Sequence, residues 1–83
     1  MNDRQEIVDS VALRLGKMIP QLREEPDLES KDLRDYAEFD SLGILEVLVW
    51  LEDEFAVSIP DEELRVENFK SVGMIVDYVI AHR

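Results

Sequence analysis

The chain contains no cysteine. That excludes a disulfide framework, a thiolate nucleophile and a cysteine metal site. Its one histidine, His82, is next to last and has no second histidine for a metal pair. One residue from the C-terminus, it also offers little to a Ser-His-Asp triad. Basic residues are scarce: 9 Lys and Arg against 20 Asp and Glu, a formal net charge of −11. Such a surface repels nucleic acid and anionic membranes and attracts proteins with basic patches. Acidity also keeps a small protein soluble with no further role. Long apolar runs are missing too. The longest, Val47 to Leu51, is far too short to span a bilayer. Met1-Asn2-Asp3-Arg4-Gln5-Glu6 is too polar for a signal peptide, so the cytoplasm is the expected location. Gly16, Gly43 and Gly73 are too dispersed for a phosphate-binding glycine loop. What is present is 83 residues, 46% hydrophobic, enough for one small domain over 1–83.

Apolar residues recur at helical spacing in three places. Ile7, Val8, Val11, Leu15 and Met18 predict a first helix from about Asp3 to Met18, which Pro20 closes. A second runs from Asp40, a suitable N-cap, to about Phe55. The third begins at Ser71, another N-cap, with Val72, Ile75, Val76, Val79 and Ile80 as its core stripe. His82 and Arg83 suit its C-terminal end. Between the first two helices lies a long connection, Pro20 to Phe39. Its Leu22, Leu28, Leu33, Tyr36 and Phe39 are spaced to pin it onto the helices, with a short helical turn near Lys31–Tyr36. Val57-Ser58-Ile59 reads as a brief extended link ended by Pro60, followed by short turns at Asp61–Leu64 and Val66–Phe69. The architecture is all-α: three main helices plus a minor one. Ile7, Val11, Leu15, Leu48, Leu51, Phe55, Ile59, Phe69, Ile75 and Val79 are expected to be buried together.

The second helix carries two apolar faces. At ~100° per residue, Ile44, Val47, Leu48, Leu51 and Phe55 share one sector and can face a core. Leu42, Leu45 and Val49 share another, fringed by Glu46, Glu52 and Asp53. A helix that only closes a core needs the first stripe alone. The second, bordered by carboxylates and just behind Ser41, has the character of a docking surface. Trp50 borders that face, and packing against the long connection is its expected use.

Other chemistry is thin. An EF-hand frame from Asp35 to Glu46 places Ala37 and Phe39 at ligand positions and Asp40 where the sharp turn needs glycine. Glu24/Glu25 and Glu62/Glu63 are adjacent in sequence and read as solvated acids, not as a pair flanking a cleft. No nucleophile–base pair is evident, so an enzyme is not expected.

Asp40-Ser41-Leu42, Ile44-Leu45-Glu46-Val47-Leu48, Leu51-Glu52-Asp53-Glu54-Phe55, Val57-Ser58-Ile59-Pro60-Asp61-Glu62-Glu63-Leu64 and Glu67-Asn68-Phe69-Lys70-Ser71-Val72 occur in that order. Together they resemble the acyl and peptidyl carrier protein family. The resemblance implies a four-helix bundle, with a short helix between two longer ones. It implies that Ser41 takes 4′-phosphopantetheine from coenzyme A through a separate phosphopantetheinyl transferase, with Asp40 helping to present it. The arm's thiol then holds an acyl or aminoacyl group as a thioester, so a chain without cysteine still acquires a thiol. Leu42, Leu45, Glu46, Val49, Glu52 and Asp53 would recognise the transferase, the loading enzyme and downstream transferases or synthases. Many relatives have glycine where this chain has Glu38 and an acidic residue where it has Gly43, which suggests specialised partners. From Met1 to three residues past Ile80, a discrete monomeric carrier is expected, serving polyketide, nonribosomal peptide or related secondary-metabolite assembly. The competing reading is an acidic helical adaptor that binds basic proteins without a prosthetic group.

Overall fold

The computed structural model describes residues 3–82. Three α-helices form where the apolar spacing places them: α1 (Asp3–Met18), α2 (Ser41–Phe55) and α3 (Val72–His82). The remainder is irregular chain with 3-10 turns at Pro20–Glu24, Leu33–Asp35, Asp61–Glu63 and Val66–Asn68. The last two turns occupy the place of the short fourth helix, and no strand forms among the described residues. None of the described helices is long and apolar enough to cross a membrane. Arg83, expected at the end of the third helix, lies outside the described residues.

Both expected caps form. The Asp40 carboxylate accepts from the Gly43 amide at 2.8 Å, and Ser71 Oγ accepts from the Met74 amide at 3.2 Å. Each satisfies a first-turn donor that the helix itself cannot. At the other end of α2, Ala56 takes a left-handed conformation with φ 55° and ψ 39°. A Cβ is penalised there and glycine is not. Ala56→Gly should therefore stabilise the fold by ~0.5–1 kcal/mol, after the greater entropy loss of glycine is subtracted. A urea midpoint lower than the parent's would contradict this.

The core is one cluster shared by all three helices. Val11 and Leu15 of α1, Leu51 of α2 and Ile75 and Val79 of α3 are fully buried, together with Phe69 from the link. The long connection is pinned as its apolar spacing suggests, with Leu22, Leu33 and Phe39 buried and Leu28 and Tyr36 partly so. Its backbone is tied as well: the Leu33 amide donates to the Lys70 carbonyl at 2.7 Å, and the Gly73 amide to the Glu29 carbonyl at 3.1 Å. Arg4 ties α1 to this connection and to α3 through Glu29 at 2.7 Å and Asp77 at 3.3 Å.

Three expectations need correction. Ile80 is 42% exposed, because it follows Val79 around the edge of the stripe, in the last turn of α3. Phe55 is half-buried, and its ring meets Trp50 edge to face at 5.6 Å. Trp50 itself lies toward α1, where the Arg14 guanidinium sits over its ring at 5.8 Å, instead of against the long connection.

The stretch between α2 and α3 has little regular structure and is held by side chains. Val57, Ile59 and Phe69 are buried. Glu52 Oε2 accepts from the Ile59 amide at 3.0 Å, and Asn68 Nδ2 donates to the Glu63 carbonyl at 3.0 Å. The Tyr78 hydroxyl donates to the Glu63 carboxylate, while His82 stacks on the Tyr78 ring at 3.9 Å. Burial, then the hydrogen bond to Glu63, pushes the Tyr78 phenol up to about 12. It stays protonated, and so a donor, throughout the neutral range.

Candidate functional site

Ser41 is the first residue of α2 and is exposed. Its position follows from the Asp40 cap, which turns the chain from an extended residue into the helix. Asp40 occupies the Gly43 amide with its carboxylate and the Ile44 amide, at 2.9 Å, with its carbonyl. Among the described residues the amides of Ser41 and Leu42 have no protein partner. An anion on the Ser41 side chain would meet those two donors at the positive end of the helix dipole. The junction therefore suits a phosphodiester.

Gly43 has a specific reason to be glycine. A Cβ there would collide with the Glu38 carbonyl oxygen, and Met18 Sδ would stand 3.3 Å away. The two positions at which the sequence departs from the carrier pattern are thus in contact. The connection crosses the first turn of α2 so closely at Glu38 that position 43 tolerates no side chain.

Two surfaces flank Ser41. One is an apolar cleft of about 230 Å³, bounded by Ser41, Ile44, Leu45 and Leu48 of α2 and by Leu64 and Val66 of the link. The other is a groove of about 550 Å³ between α2 and α1. Leu42, Leu45, Glu46, Val49 and Asp53 line it, joined by Trp50 and by Arg14 from α1. Leu42 is 70% and Val49 57% exposed, so the second apolar stripe of α2 does face solvent. Glu52 is not part of this groove, because its carboxylate turns to the Ile59 amide. Arg14 could not be foreseen as part of it. On the wheel of α1 it is one more polar residue, and nothing in the sequence places it opposite Trp50. Among the described residues, no group of three or more His, Asp or Glu is placed to hold a metal ion.

Comparison with known proteins gives the family. The sequence profile of the family described as phosphopantetheine attachment site matches residues 5–79. The chain is 37% identical over 78 residues to an acyl carrier protein of Acidothermus cellulolyticus, covering 92% of this chain and 87% of that one. It is 36% identical over 78 residues to an acyl carrier protein of Clostridium acetobutylicum, covering 94% and 92%. An acyl carrier protein of Rubrobacter xylanophilus is 35% identical over 85 residues, covering 98% and 96%. No solved structure matches. With an all-α fold, a profile match over nearly its whole length and relatives of its own size, the chain belongs to the phosphopantetheine-binding acyl carrier protein family, whose covalent cofactor is 4′-phosphopantetheine.

Proposed function

We propose that the chain is a non-catalytic carrier with Ser41 as the attachment point of 4′-phosphopantetheine. The observation that carries this reading is the exposed Ser41 hydroxyl at the first position of a helix capped by its neighbour Asp40. When bound, the cofactor supplies the thiol that holds cargo as a thioester. Ser41 provides the anchoring oxygen, the free amides of Ser41 and Leu42 receive the phosphate, and Asp40 keeps the junction in shape. The curated relatives are named acyl carrier proteins, which favours acyl over aminoacyl cargo. The neighbouring cleft offers a short acyl chain an apolar wall next to its anchor. Intact mass before and after incubation with coenzyme A and a phosphopantetheinyl transferase tests the reading. A gain of one phosphopantetheine supports it, and an unchanged mass would leave the acidic adaptor.

Leu42, Leu45, Glu46, Val49 and Asp53 form the proposed recognition face for the transferase, the loading enzyme and downstream synthases, met in the cytoplasm by a monomeric carrier. Apolar burial at Leu45 and Val49 contributes about 25 cal/mol per Å², less the entropic cost of association. The rim carboxylates act more on the rate of encounter and on orientation. Glu46→Arg or Asp53→Arg should therefore slow loading by a cognate enzyme about threefold to tenfold, with less effect at high salt. Val49→Asp should slow it more, since it brings an unpaired carboxylate into the dry centre of the contact. Loading rates at two salt concentrations, with thermal melts as folding controls, decide this. Rates equal to the parent's and independent of salt for all three variants would place docking elsewhere.

We propose a specialised pathway such as polyketide, nonribosomal peptide or related secondary-metabolite assembly, on the ground that Glu38 and Gly43 depart from the residues many carriers have there. Intact mass of the carrier isolated from its producer tests this. A saturated fatty-acyl elongation series would refute it.

A further inference from the structure

The groove between α1 and α2 contains a feature that an acidic face bound by basic partners does not explain. Arg14, on α1, holds its guanidinium 5.8 Å from the centroid of the Trp50 ring and makes no ion pair among the described residues. Glu46 and Asp53 line the same groove without neutralising it. Trp50 is half-buried and packs against Phe55, edge to face at 82°, which limits the ring's freedom. Arg14 is exposed, and the ring attracts its guanidinium to the groove side of α1, which biases the cation toward an anion arriving there. Trp and Arg are also the residue types that most often dominate the energetics of contacts.

We infer that this groove seats a segment of the phosphopantetheinyl transferase, and that Arg14 is a specificity-determining cation requiring a carboxylate on that enzyme. The inference rests on the carrier reading of Ser41. The transferase is the occupant because an enzyme acting on Ser41 must cover Leu42, and Leu42 forms one end of this groove. The matching segment carries a large apolar side chain to fill the groove against Leu45, Val49 and Trp50. It also presents Arg or Lys toward Glu46 and Asp53 and one Asp or Glu toward Arg14. A second copy of this chain is a poor occupant, since two surfaces from chains of net charge −11 repel.

The sign of one charge reversal separates this arrangement from simple attraction between opposite charges. If the carrier only offered negative charge to a basic partner, Arg14→Glu would strengthen the attraction and speed modification. A carboxylate opposite Arg14 makes the same change slow it. The experiment measures kcat/KM of a phosphopantetheinyl transferase acting on the full chain with coenzyme A in excess, alongside thermal melts. The expected order is wild type, then Arg14→Lys close behind, then Arg14→Gln, with Arg14→Glu lowest by about tenfold or more, mainly through KM. Trp50→Ala should fall similarly and Trp50→Phe should stay near wild type. If Trp50→Ala fails to fold, the Arg14 series and Trp50→Phe still decide.

An Arg14→Glu rate equal to or above wild type, on a carrier still modified at Ser41, overturns this inference and leaves the carrier reading intact. No modification of wild type overturns both. Sedimentation showing a concentration-dependent dimer that Arg14→Glu abolishes would assign the groove to a second copy, and also overturns it.

Discussion

Ser41→Ala is expected to gain no mass from coenzyme A and a phosphopantetheinyl transferase, under conditions where the wild type gains one phosphopantetheine. The effect is all or none because the lost hydroxyl oxygen is the proposed bridge to the arm. Folding should be untouched, since Asp40, not Ser41, caps α2 and Ser41 is exposed. The other serines serve as controls. Ser71 is buried and spends its Oγ on the Met74 amide, so an enzyme has no access to it. Ser58 is exposed, but on an extended link with no helix start behind it. Ser10 lies within α1, and Ser30 lies in the long connection. Peptide mapping that found the arm on any of these, or an unmodified Ser41 in a mass-shifted protein, would sink the assignment.

Leu51→Ala should cost ~2–5 kcal/mol, from lost transfer energy and the cavity left behind. Leu51 is fully buried on the core face of α2, within the cluster that unites the three helices. Domains of this size are stable by only ~5–15 kcal/mol in total. At ~4–8 °C per kcal/mol, the melting temperature should fall by roughly 8–40 °C. Leu42→Ala is the contrast. Leu42 lies on the solvent face of the same helix, and its truncation should stay within ~0.5 kcal/mol of the parent. Similar melting temperatures for the two variants would mean that α2 is rotated in solution relative to this structure.

The helices were legible because each one has to bury a stripe, and a stripe repeats along the sequence. Ile7, Val11 and Leu15, or Val72, Ile75 and Val79, show that period without reference to the rest of the chain. Asp40 and Ser71 were legible as caps for an equally local reason, a short acceptor just before the first turn. The outward stripe of Leu42, Leu45 and Val49 was also visible, because one helix with two apolar sectors cannot bury both against the same core. What the sequence hid depends on the arrangement of one element against another. Ile80 has the right residue type but lies at the edge of the stripe, in the last turn. Glu52 belongs to the docking rim on a wheel, yet the Val57–Ile59 link passes near enough to claim its carboxylate. Arg14 meets Trp50 only because α1 and α2 lie side by side at that level. Leu64 and Val66 wall the cleft beside Ser41 only once the link has folded back over α2.

The close passage of Glu38 over Gly43 has a consequence for how this sequence can change. Placing an acidic residue at 43 alone would drive a Cβ into the Glu38 carbonyl, and the clash is with backbone, so no rotamer at 38 relieves it. A side chain at 43 therefore cannot be accommodated while the connection keeps its present course at Glu38. The connection has to loosen near 38, where glycine would give it that freedom, before position 43 can accept a side chain. Positions 38 and 43 then form one epistatic unit, and the same substitution at 43 would be neutral or ruinous according to the residue five places before it.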